Sequence, residues 1–345
     1  MTTGVLIATY NGEKFIIEQL ESIINQSVAV DEIIISDDDS TDRTIEVVLD
    51  FIEKHKNYNI KFSKNNDHGF VKNFENAFLN SSADILFFCD QDDIWNKDKV
   101  EIFKKAFEEN DKINLVFSNA DIVDENKNVV GITNWDSNFK IGLSYEPDEN
   151  IFFDKEKMIK MLPYGNYVTG MSMAVRRTLL EKIVPFNKML VHDDYITIMA
   201  AYYDDGILAI NSSTALYRQH SNNTVGFYDK NGTNRRRKKR KFRELKNYCF
   251  KDVKSILNWE ERICLIEKLF PNENVNELKP INNVIYDRKK IIESGAFAAV
   301  FKAFRLYTNS NLYSKIEFVN DIVTVIIMRK NERKRRMKEY LEECK

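Results

Sequence analysis

Apolar and polar positions along the first third of the chain form four successive units of one kind. Each unit starts with a short apolar run, continues through a polar turn, and ends in a longer stretch whose apolar residues have helical spacing. The short runs predict strands, and the longer stretches predict helices. The predicted strands are Val5–Ala8, Glu32–Ser36, Ile60–Ser63 and Ile85–Phe88, and the helices are Glu13–Ile24, Asp42–Glu53, Phe70–Asn80 and a segment ending near Glu109.

Strands that alternate with helices predict an α/β fold, in which a mostly parallel sheet has helices on both faces. Ligands of such sheets bind at the carboxyl ends of the strands. Three of the first four strands end in polar clusters, which are Thr9–Gly12, Asp37–Thr41 and Asp90–Asp93. The pattern weakens after Leu115–Asn119: residues 120–160 predict loops and short elements, and Tyr167–Val175 is a further apolar segment with a central glycine.

Charge divides the chain near residue 230. Residues 229–345 contain 29 Lys and Arg against 16 Asp and Glu, a net charge of +13, whereas residues 1–228 contain 22 against 37, a net charge of −15. Two basic clusters, Arg235–Arg243 and Arg329–Lys338, lie in the rear part, which is helical in character. Such clusters suit an anionic surface, either membrane or nucleic acid, although a solvated linker and a charged helix end explain them equally well.

The compartment and membrane topology can also be predicted. The four cysteines form no close pair, which argues against a zinc knuckle or disulfide framework and fits a reducing compartment. The N-terminus lacks the basic region and long apolar stretch of a secretory signal, so export is not expected. The apolar segment Leu312–Met328 contains Glu317 and Asp321 and falls short of the ~20 apolar residues of a spanning helix, which predicts a packed or interfacial helix.

The acidic run Asp90–Asp93 is the strongest chemical signal. Carboxylates this close raise one another's pKa unless a cation lies between them. Asp oxygens suit Mg²⁺ or Mn²⁺, ions that commonly bridge one or two carboxylates and a diphosphate. The alternative is a solvated acidic loop in which Asp93 caps the next helix.

Other polar clusters carry weaker signals. An Asp of Asp37–Asp39 could accept a hydrogen bond from a nucleobase or ribose, but capping of the next helix by Ser40, Thr41 or Asp42 explains much of this stretch. The turn Thr9–Gly12 lacks the glycine patterns of dinucleotide folds and P-loops, which disfavours NAD-dependent hydride transfer and P-loop phosphoryl transfer.

Two histidines stand beside candidate chemistry. The run His192-Asp193-Asp194 could provide a general base, with His192 orienting an Asp or binding phosphate. A lone His is more often structural than a ligand. If His220 joins Asp92 on one cation, however, the two complete a mixed oxygen and nitrogen site that Mn²⁺ accepts.

Taken together, seven segments resemble the inverting family 2 glycosyltransferases of the GT-A fold, in particular the bacterial rhamnosyltransferase-like branch. They occur in the order of that family between residue 4 and about residue 226. The segments are Ile7–Gly12, Ser36–Asp42, Asn66–Phe74, Cys89–Trp95, Gly170–Met173, His192-Asp193 and Tyr217–His220.

The resemblance implies a role for individual residues. Contacts to the nucleotide and the donor sugar would come from Thr9, Tyr10, Asn11, Asp38, Lys72, Asp90, Gln91, Gly170 and Met171. Asp92 and His220 would bind Mn²⁺ or Mg²⁺, and Asp193 would be the catalytic base. Two departures leave alternatives open: Asp39 stands where the family usually has Gly, so Asp37 rivals Asp38, and Asp194 stands where the branch commonly has an aromatic residue, so it rivals Asp193 as the base.

The resemblance also implies the reaction and its partners. A sugar would move from a nucleoside-diphosphate sugar, dTDP-L-rhamnose first and a UDP-hexose or UDP-N-acetylhexosamine second, to a glycan or polyprenyl-diphosphate-linked acceptor in bacterial surface polysaccharide synthesis. Residues 1–230 would form the catalytic domain, with the donor part at about 1–120 and the acceptor part at about 121–230, followed by a basic helical region at 231–345.

The expected location is cytoplasmic, with peripheral contact at the inner face of the plasma membrane through the basic clusters. The rear helices would serve membrane docking or a homodimer equally well. Two other classes of protein fit the sequence less well. A nucleotidyltransferase would normally show a Gly-rich phosphate loop, which residues 4–14 lack, and the net charge of residues 1–228 argues against a nucleic-acid partner.

Overall fold

The computed structural model describes residues 1–133, 135, 150–155, 158, 166–187, 190–203, 206–220, 263–264, 266–268, 279–294, 296–309, 321, 325 and 335. The chain divides into two compact units. The first contains residues 1–158 and 166–233, and the second contains residues 159–165 and 234–345.

The first unit has the strand and helix alternation that the sequence predicts. Its strands are β1 (Thr3–Thr9), β2 (Glu32–Asp37), β3 (Ile60–Lys64), β4 (Ile85–Asp90), β5 (Ile94–Trp95), β6 (Leu115–Val123), β7 (Val129–Thr133), β8 (Ile151–Phe153), β9 (Met173–Arg176) and β10 (Ile207–Arg218). Its helices are α1 (Ile16–Ile24), α2 (Thr44–Lys54), α3 (Phe70–Leu79), α4 (Lys99–Glu109), α5 (Arg177–Ile183) and α6 (His192–Tyr203), and a 3-10 turn spans Gly170–Ser172.

The strands form one mixed sheet in the order β3-β2-β1-β4-β9-β6-β10-β5, with β7 beside β6 and β8 beside β10. The strands β1 to β4 are parallel, as are β6 and β10, whereas β9 runs antiparallel between β4 and β6. The predicted α/β fold is confirmed. In its register Thr9 pairs with Asp37, and Ala8 pairs with Asp90, so the polar ends of β1, β2 and β4 meet at one edge of the sheet.

Burial explains why the central strands read as continuous apolar runs. In β2 and β4 the residues Ile33–Ile35 and Leu86–Phe88 are almost completely inaccessible, because helices cover both faces of the sheet. Helix α1 buries one side, which carries Ile16, Leu20 and Ile23, whereas α6 is buried at ten of its twelve positions. This core places the strand ends rigidly while their polar turns stay at its margin.

Two segments contain more strand than the sequence predicts. β6 continues to Val123, because Ala120 and Ile122 are buried while Asn119 and Asp121 alternate with them. β10 joins the apolar ends Ile207–Ile210 and Ala215–Leu216 through a polar stretch whose register against β6 shifts at Ser213. A search for apolar runs misses both strands, because apolar and polar residues alternate in β6 and β10 contains a bulge.

The described helices of the second unit are α7 (Lys279–Glu293) and α8 (Ala296–Asn309). Within this unit Arg288 donates two hydrogen bonds to the carboxylate of Asp321, at 3.0 and 2.9 Å, and both side chains are buried. Arg235–Arg243 lies outside the described residues, as do Leu312–Met328 apart from Asp321 and Val325, and Arg329–Lys338 apart from Arg335. A search of the described helices finds no segment with the length and apolar character required to cross a bilayer.

Candidate active site

The turn after β1 is tied to the turns after β2 and β4. Asn11 has a left-handed backbone, with φ of 48°, and its side-chain oxygen accepts the N–H of Thr41 at 2.8 Å. The N–H and carbonyl of Tyr10 both pair with the side-chain amide of Gln91, each at 2.9 Å. Thr9 is buried, whereas the Tyr10 ring is 56% exposed. The predicted nucleotide-binding residues Thr9, Tyr10 and Asn11 therefore lie together at the end of β1, where hydrogen bonds hold the turn to Gln91 and to the turn after β2.

Asp37 and Asp38 occupy different environments. Asp37 is completely buried and accepts hydrogen bonds from the Thr9 hydroxyl at 2.7 Å and the Ser40 N–H at 2.8 Å. Asp38 keeps some exposure and accepts hydrogen bonds from the Asn65 side-chain amide and the Gly69 N–H, each at 2.8 Å. Asp37 thus holds the turn together from inside, and Asp38 is the member of the pair at the surface.

The Asp39 backbone is left-handed, with φ of 64°. Asp is one of the few residues besides Gly that tolerate this region. The loop therefore has a backbone conformation that glycine, the usual residue of the family at this position, would also tolerate. Beside this loop lies a cleft whose lining residues are Asp39, Lys64, Asn65, Asn66 and His68.

A group of acids lies where β4 ends. Burial, followed by the charges of Asp92 and Asp193, raises the pKa of Asp90 to about 7. Burial and the neighbouring carboxylates also raise the pKa of Asp93 well above its usual range. One Asp93 oxygen accepts the N–H of Arg218 at 2.9 Å, and the other has no hydrogen-bond partner among the described residues. Buried carboxyl groups are concentrated in this corner of the protein.

Asp92 and His220, which are 128 positions apart in sequence, are in contact. The Nε2 atom of His220 lies 2.8 Å from an Asp92 carboxylate oxygen. The short strand β5 pairs with β10 and brings the two segments together. Arg218 braces the contact, because its Nε donates to the Asp92 carbonyl at 2.8 Å while the guanidinium and the His220 ring both lie against Phe15.

The arrangement fits a divalent cation that takes part of its coordination from the substrate. In the part of the chain that the structure describes, no three His, Cys, Asp or Glu side chains form a complete metal cage. A carboxylate and an imidazole are nevertheless adjacent, beside a buried carboxylate oxygen without a partner. Mg²⁺ and related ions are commonly held by one or two carboxylates together with substrate phosphates. The residues present therefore fit the predicted metal.

Asp193 lies in the first turn of α6, and backbone groups hold both of its carboxylate oxygens. Oδ2 accepts the N–H of Gly170 at 3.0 Å, and Oδ1 accepts the N–H of Asp194 at 2.8 Å. Burial, followed by the charge of Asp194, raises the pKa of Asp193 to about 7. A carboxylate with such a pKa is well matched to general-base catalysis near neutral pH.

His192 lies in an apolar environment, which differs from the contact with an Asp or a phosphate that the sequence suggested. Its ring packs among Phe74, Phe88 and Phe70, and burial lowers its pKa to about 3, so the ring is neutral. Neither ring nitrogen has a hydrogen-bond partner among the described residues, so His192 does not orient an Asp by hydrogen bonding. It lies directly below Gly170, where an added Cβ would approach Nε2 to 2.6 Å.

Lys72 is placed on α3, where it forms an ion pair with Glu75. The other Glu75 oxygen accepts the N–H of Phe186 at 2.5 Å. The structure thus pairs Lys72 within the protein, and its predicted contact with the diphosphate stays a prediction.

The sequence analysis missed two buried cations. They are Arg218, which the sequence shows only as part of the Tyr217–His220 segment, and Lys99. Lys99 is fully buried with its Nζ 2.6 Å from the Met171 carbonyl, and burial lowers its pKa to about 8. The available signal was its place on the buried side of α4, together with Val100, Phe103 and Phe107.

Comparison with known proteins decides the family. The profile described as "Glycosyl transferase family 2" matches residues 4–184. The chain belongs to this family. It is therefore a glycosyltransferase, and the nucleotidyltransferase alternative is excluded.

Among the relatives of this glycosyltransferase is the "dTDP-rhamnosyl transferase RfbG" of Shigella flexneri, 32% identical over 235 residues, which cover 64% of this chain and 73% of the relative. Another is the "UDP-Glc:alpha-D-GlcNAc-diphosphoundecaprenol beta-1,3-glucosyltransferase WfgD" of Escherichia coli, 27% identical over 210 residues, 60% of this chain and 72% of the relative. The crystal structure of S. aureus TarS 1–349 aligns with 99% of this chain and 92% of its own, at 16% identity and a TM-score of 0.52. That likeness supports the GT-A fold of the glycosyltransferase.

Proposed function

We propose that this glycosyltransferase moves a sugar from a nucleoside-diphosphate sugar to an acceptor hydroxyl, with inversion at the anomeric carbon, in bacterial surface polysaccharide synthesis. The observation that carries the proposal is the contact between Asp92 and His220 at the edge of the sheet where β1, β2 and β4 end. This carboxylate and imidazole pair suits the stabilisation of a diphosphate leaving group. Asp193, whose charge acts on Asp90, suits the role of base.

Asp193 is the proposed base. Its carboxylate accepts the proton of the acceptor hydroxyl while that oxygen forms a bond to the anomeric carbon. The bond from the anomeric carbon to the diphosphate breaks in the same displacement, and the nucleoside diphosphate leaves with the electron pair. The backbone N–H groups of Gly170 and Asp194 fix the carboxylate and leave each of its oxygens a second lone pair for the incoming proton.

Asp92 and His220 are the proposed ligands of Mn²⁺ or Mg²⁺. When bound, the ion supplies Lewis-acid stabilisation of the diphosphate. Asp90 would face the ribose and metal region. Its pKa is raised first by burial and then by the charges of Asp92 and Asp193, and a bound cation would offset those charges.

The nucleotide is proposed to lie along the turns that follow β1 and β2. Asp38 would accept a hydrogen bond from the pyrimidine, because it is the surface member of its pair. The remaining donor contacts that we propose are Thr9, Tyr10, Asn11, Lys72 and Gln91 for the nucleotide and diphosphate, and Gly170 and Met171 for the sugar.

The proposed donor is dTDP-L-rhamnose, supported by the 32% identity to a protein named as a dTDP-rhamnosyl transferase. A UDP-hexose or UDP-N-acetylhexosamine is the alternative, favoured by the relative whose name specifies UDP-Glc. The name of the same relative supports a polyprenyl-diphosphate-linked glycan as acceptor.

We further propose that the chain divides near residue 230 into a catalytic domain and a basic region. The proposed location is cytoplasmic, with peripheral membrane contact, and homodimer formation is the alternative use of the rear helices.

A donor panel tests the proposal. The full-length protein is incubated with dTDP-L-rhamnose, UDP-glucose or UDP-N-acetylglucosamine, and release of free nucleotide is measured with Mn²⁺ or with EDTA. We expect Mn²⁺-dependent release from dTDP-L-rhamnose. Release from a UDP sugar alone would select the alternative donor. Equal release with Mn²⁺ and with EDTA would contradict the metal dependence.

A further inference from the structure

Lys99, the first residue of α4, carries an ammonium that is completely buried. Its Nζ donates a hydrogen bond to the Met171 carbonyl at 2.6 Å and lies over the Trp95 ring, 4.2 Å from the centroid. The Phe103 ring is the next neighbour, at 5.8 Å. Lysine is almost never fully buried unless its charge is compensated.

Compensation comes from the acids on both sides of the proposed metal ligand. Lys99 interacts electrostatically with Asp93 and Asp90, which lie on either side of Asp92 in the sequence. An apolar side chain of similar volume is often as stable at such a site as a buried charge. Stability therefore gives little reason for a lysine at this position, and the position of its charge gives a better one.

The ammonium also connects the two halves of the proposed chemistry. Met171 belongs to the 3-10 turn Gly170–Ser172, and the N–H of the preceding Gly170 holds the Asp193 carboxylate. Lys99 itself begins the helix that follows the acidic run and β5. One buried cation thus joins the loop of the proposed metal ligand to the turn that holds the proposed base.

We propose that Lys99 is a positioning residue for glycosyl transfer: it fastens the Gly170–Ser172 turn to α4 and places a fixed positive charge behind the acidic loop. This inference rests on the proposed function. Because Lys99 is completely buried, it would contact neither donor nor acceptor directly. It acts through the Met171 carbonyl and through the field it imposes on Asp90 and Asp93.

The test compares Lys99→Met, which removes both charge and donor, with Lys99→Gln, which keeps a donor without the charge. Lys105→Met is the matched control, because Lys105 lies on the same helix with an exposed side chain. For each full-length variant we would measure kcat and KM for the donor that the wild type uses, binding of dTDP and UDP with Mn²⁺ by calorimetry, and thermal unfolding.

A misplaced reacting group can cost about 10²-fold in rate, so we expect kcat of Lys99→Met to fall by about that factor. Lys99→Gln should fall between this variant and the wild type. Nucleotide binding should stay within about threefold of wild type, because the turns after β1 and β2 do not depend on Lys99, and Lys105→Met should match the wild type.

Two results would overturn the inference. One is a folded Lys99→Met or Lys99→Gln with a lower melting temperature and wild-type kcat, since this is the signature of a purely structural lysine. The other is failure of both variants to fold, which would assign Lys99 to folding and not to positioning. Absence of turnover in the wild type is a separate outcome: it would contradict the proposed function itself.

Discussion

The two sides of the candidate site differ in how completely the protein satisfies their titratable side chains. On the side of β1 and β2, the carboxylates of Asp37 and Asp38 each accept at least two hydrogen bonds from the protein. On the side of β4 and α6, an oxygen of Asp93 and both ring nitrogens of His192 have no partner among the described residues. Burial there also raises the pKa values of Asp90 and Asp193.

The β1 and β2 side therefore holds its carboxylates with hydrogen bonds from the protein itself. The β4 and α6 side has buried groups that only a ligand would satisfy. Unpaired buried polar groups and uncompensated charges cost stability. They persist where a ligand can supply what the protein lacks, and perturbed carboxylates in a cleft are candidates for function for this reason. Substitutions on the β4 and α6 side should therefore affect chemistry most, and those on the β1 and β2 side should affect local stability.

The largest effect is expected for Asp193→Asn. General-base catalysis contributes about 10²- to 10⁴-fold, so kcat should fall by about 10³-fold while far-UV circular dichroism and thermal unfolding stay close to wild type. In the wild type, kcat should rise with pH to a plateau above about 7, because the base must be ionised. Asp194→Asn is the matched control, and a greater loss there would make Asp194 the base.

The next effect concerns the proposed metal ligands. Asp92→Asn and His220→Ala each remove one ligand, so the Mn²⁺ concentration for half-maximal activity should rise by about 10-fold or more, since loss of an outer-shell partner of a ligand alone costs about 10- to 100-fold. His55→Ala is the control, because this histidine packs against Phe51 on α2. Unchanged Mn²⁺ dependence in both site variants would exclude the pair as ligands.

A smaller effect is expected on stability between pH 6.5 and 7.5. The pKa values of Asp90 and Asp193 are raised in the folded state, so their contribution to stability is present at low pH and is lost as pH rises through about 7. This window starts at the pKa of unfolded histidine, so the proton that His192 loses on folding offsets only about 0.4 kcal/mol of that loss across the window.

Metal-free protein in EDTA should therefore unfold at a lower temperature at pH 7.5 than at pH 6.5, by roughly 1 kcal/mol in free energy for the two carboxylates together. Mn²⁺ should raise the melting temperature more at pH 7.5, because protons compete with the metal. Asp90→Asn should flatten the pH dependence. Equal Mn²⁺ stabilisation at both pH values would contradict the shifts.

An effect on stability alone is expected at Asp39 on the β1 and β2 side. Because its backbone is left-handed, Asp39→Val should destabilise the protein by about 1–2 kcal/mol, whereas Asp39→Gly should not. Chemical denaturation of the two variants measures the difference, and kcat should stay near wild type in both. Equal stability of the valine and glycine variants would contradict the left-handed conformation.

The sequence by itself determined the local elements and the chemical character of the strand ends. Apolar runs placed β1 to β4, helical spacing placed α1 to α4, and the turns Thr9–Gly12, Asp37–Thr41 and Asp90–Asp93 were already polar in the right places. These features are local, because a strand or helix reports its burial through the spacing of its own residues. The motif order was also enough to indicate the family.

Only the tertiary structure decided which distant groups meet. It inserted the antiparallel β9 between β4 and β6, carried β10 through a polar stretch, and so set His220 against Asp92. It also enclosed His192 among aromatic rings and buried Lys99 beneath the Met171 carbonyl. The physical reason is that strand order and the desolvation of a charge depend on the whole packed sheet, whereas the spacing within one element records only which of its own sides is covered.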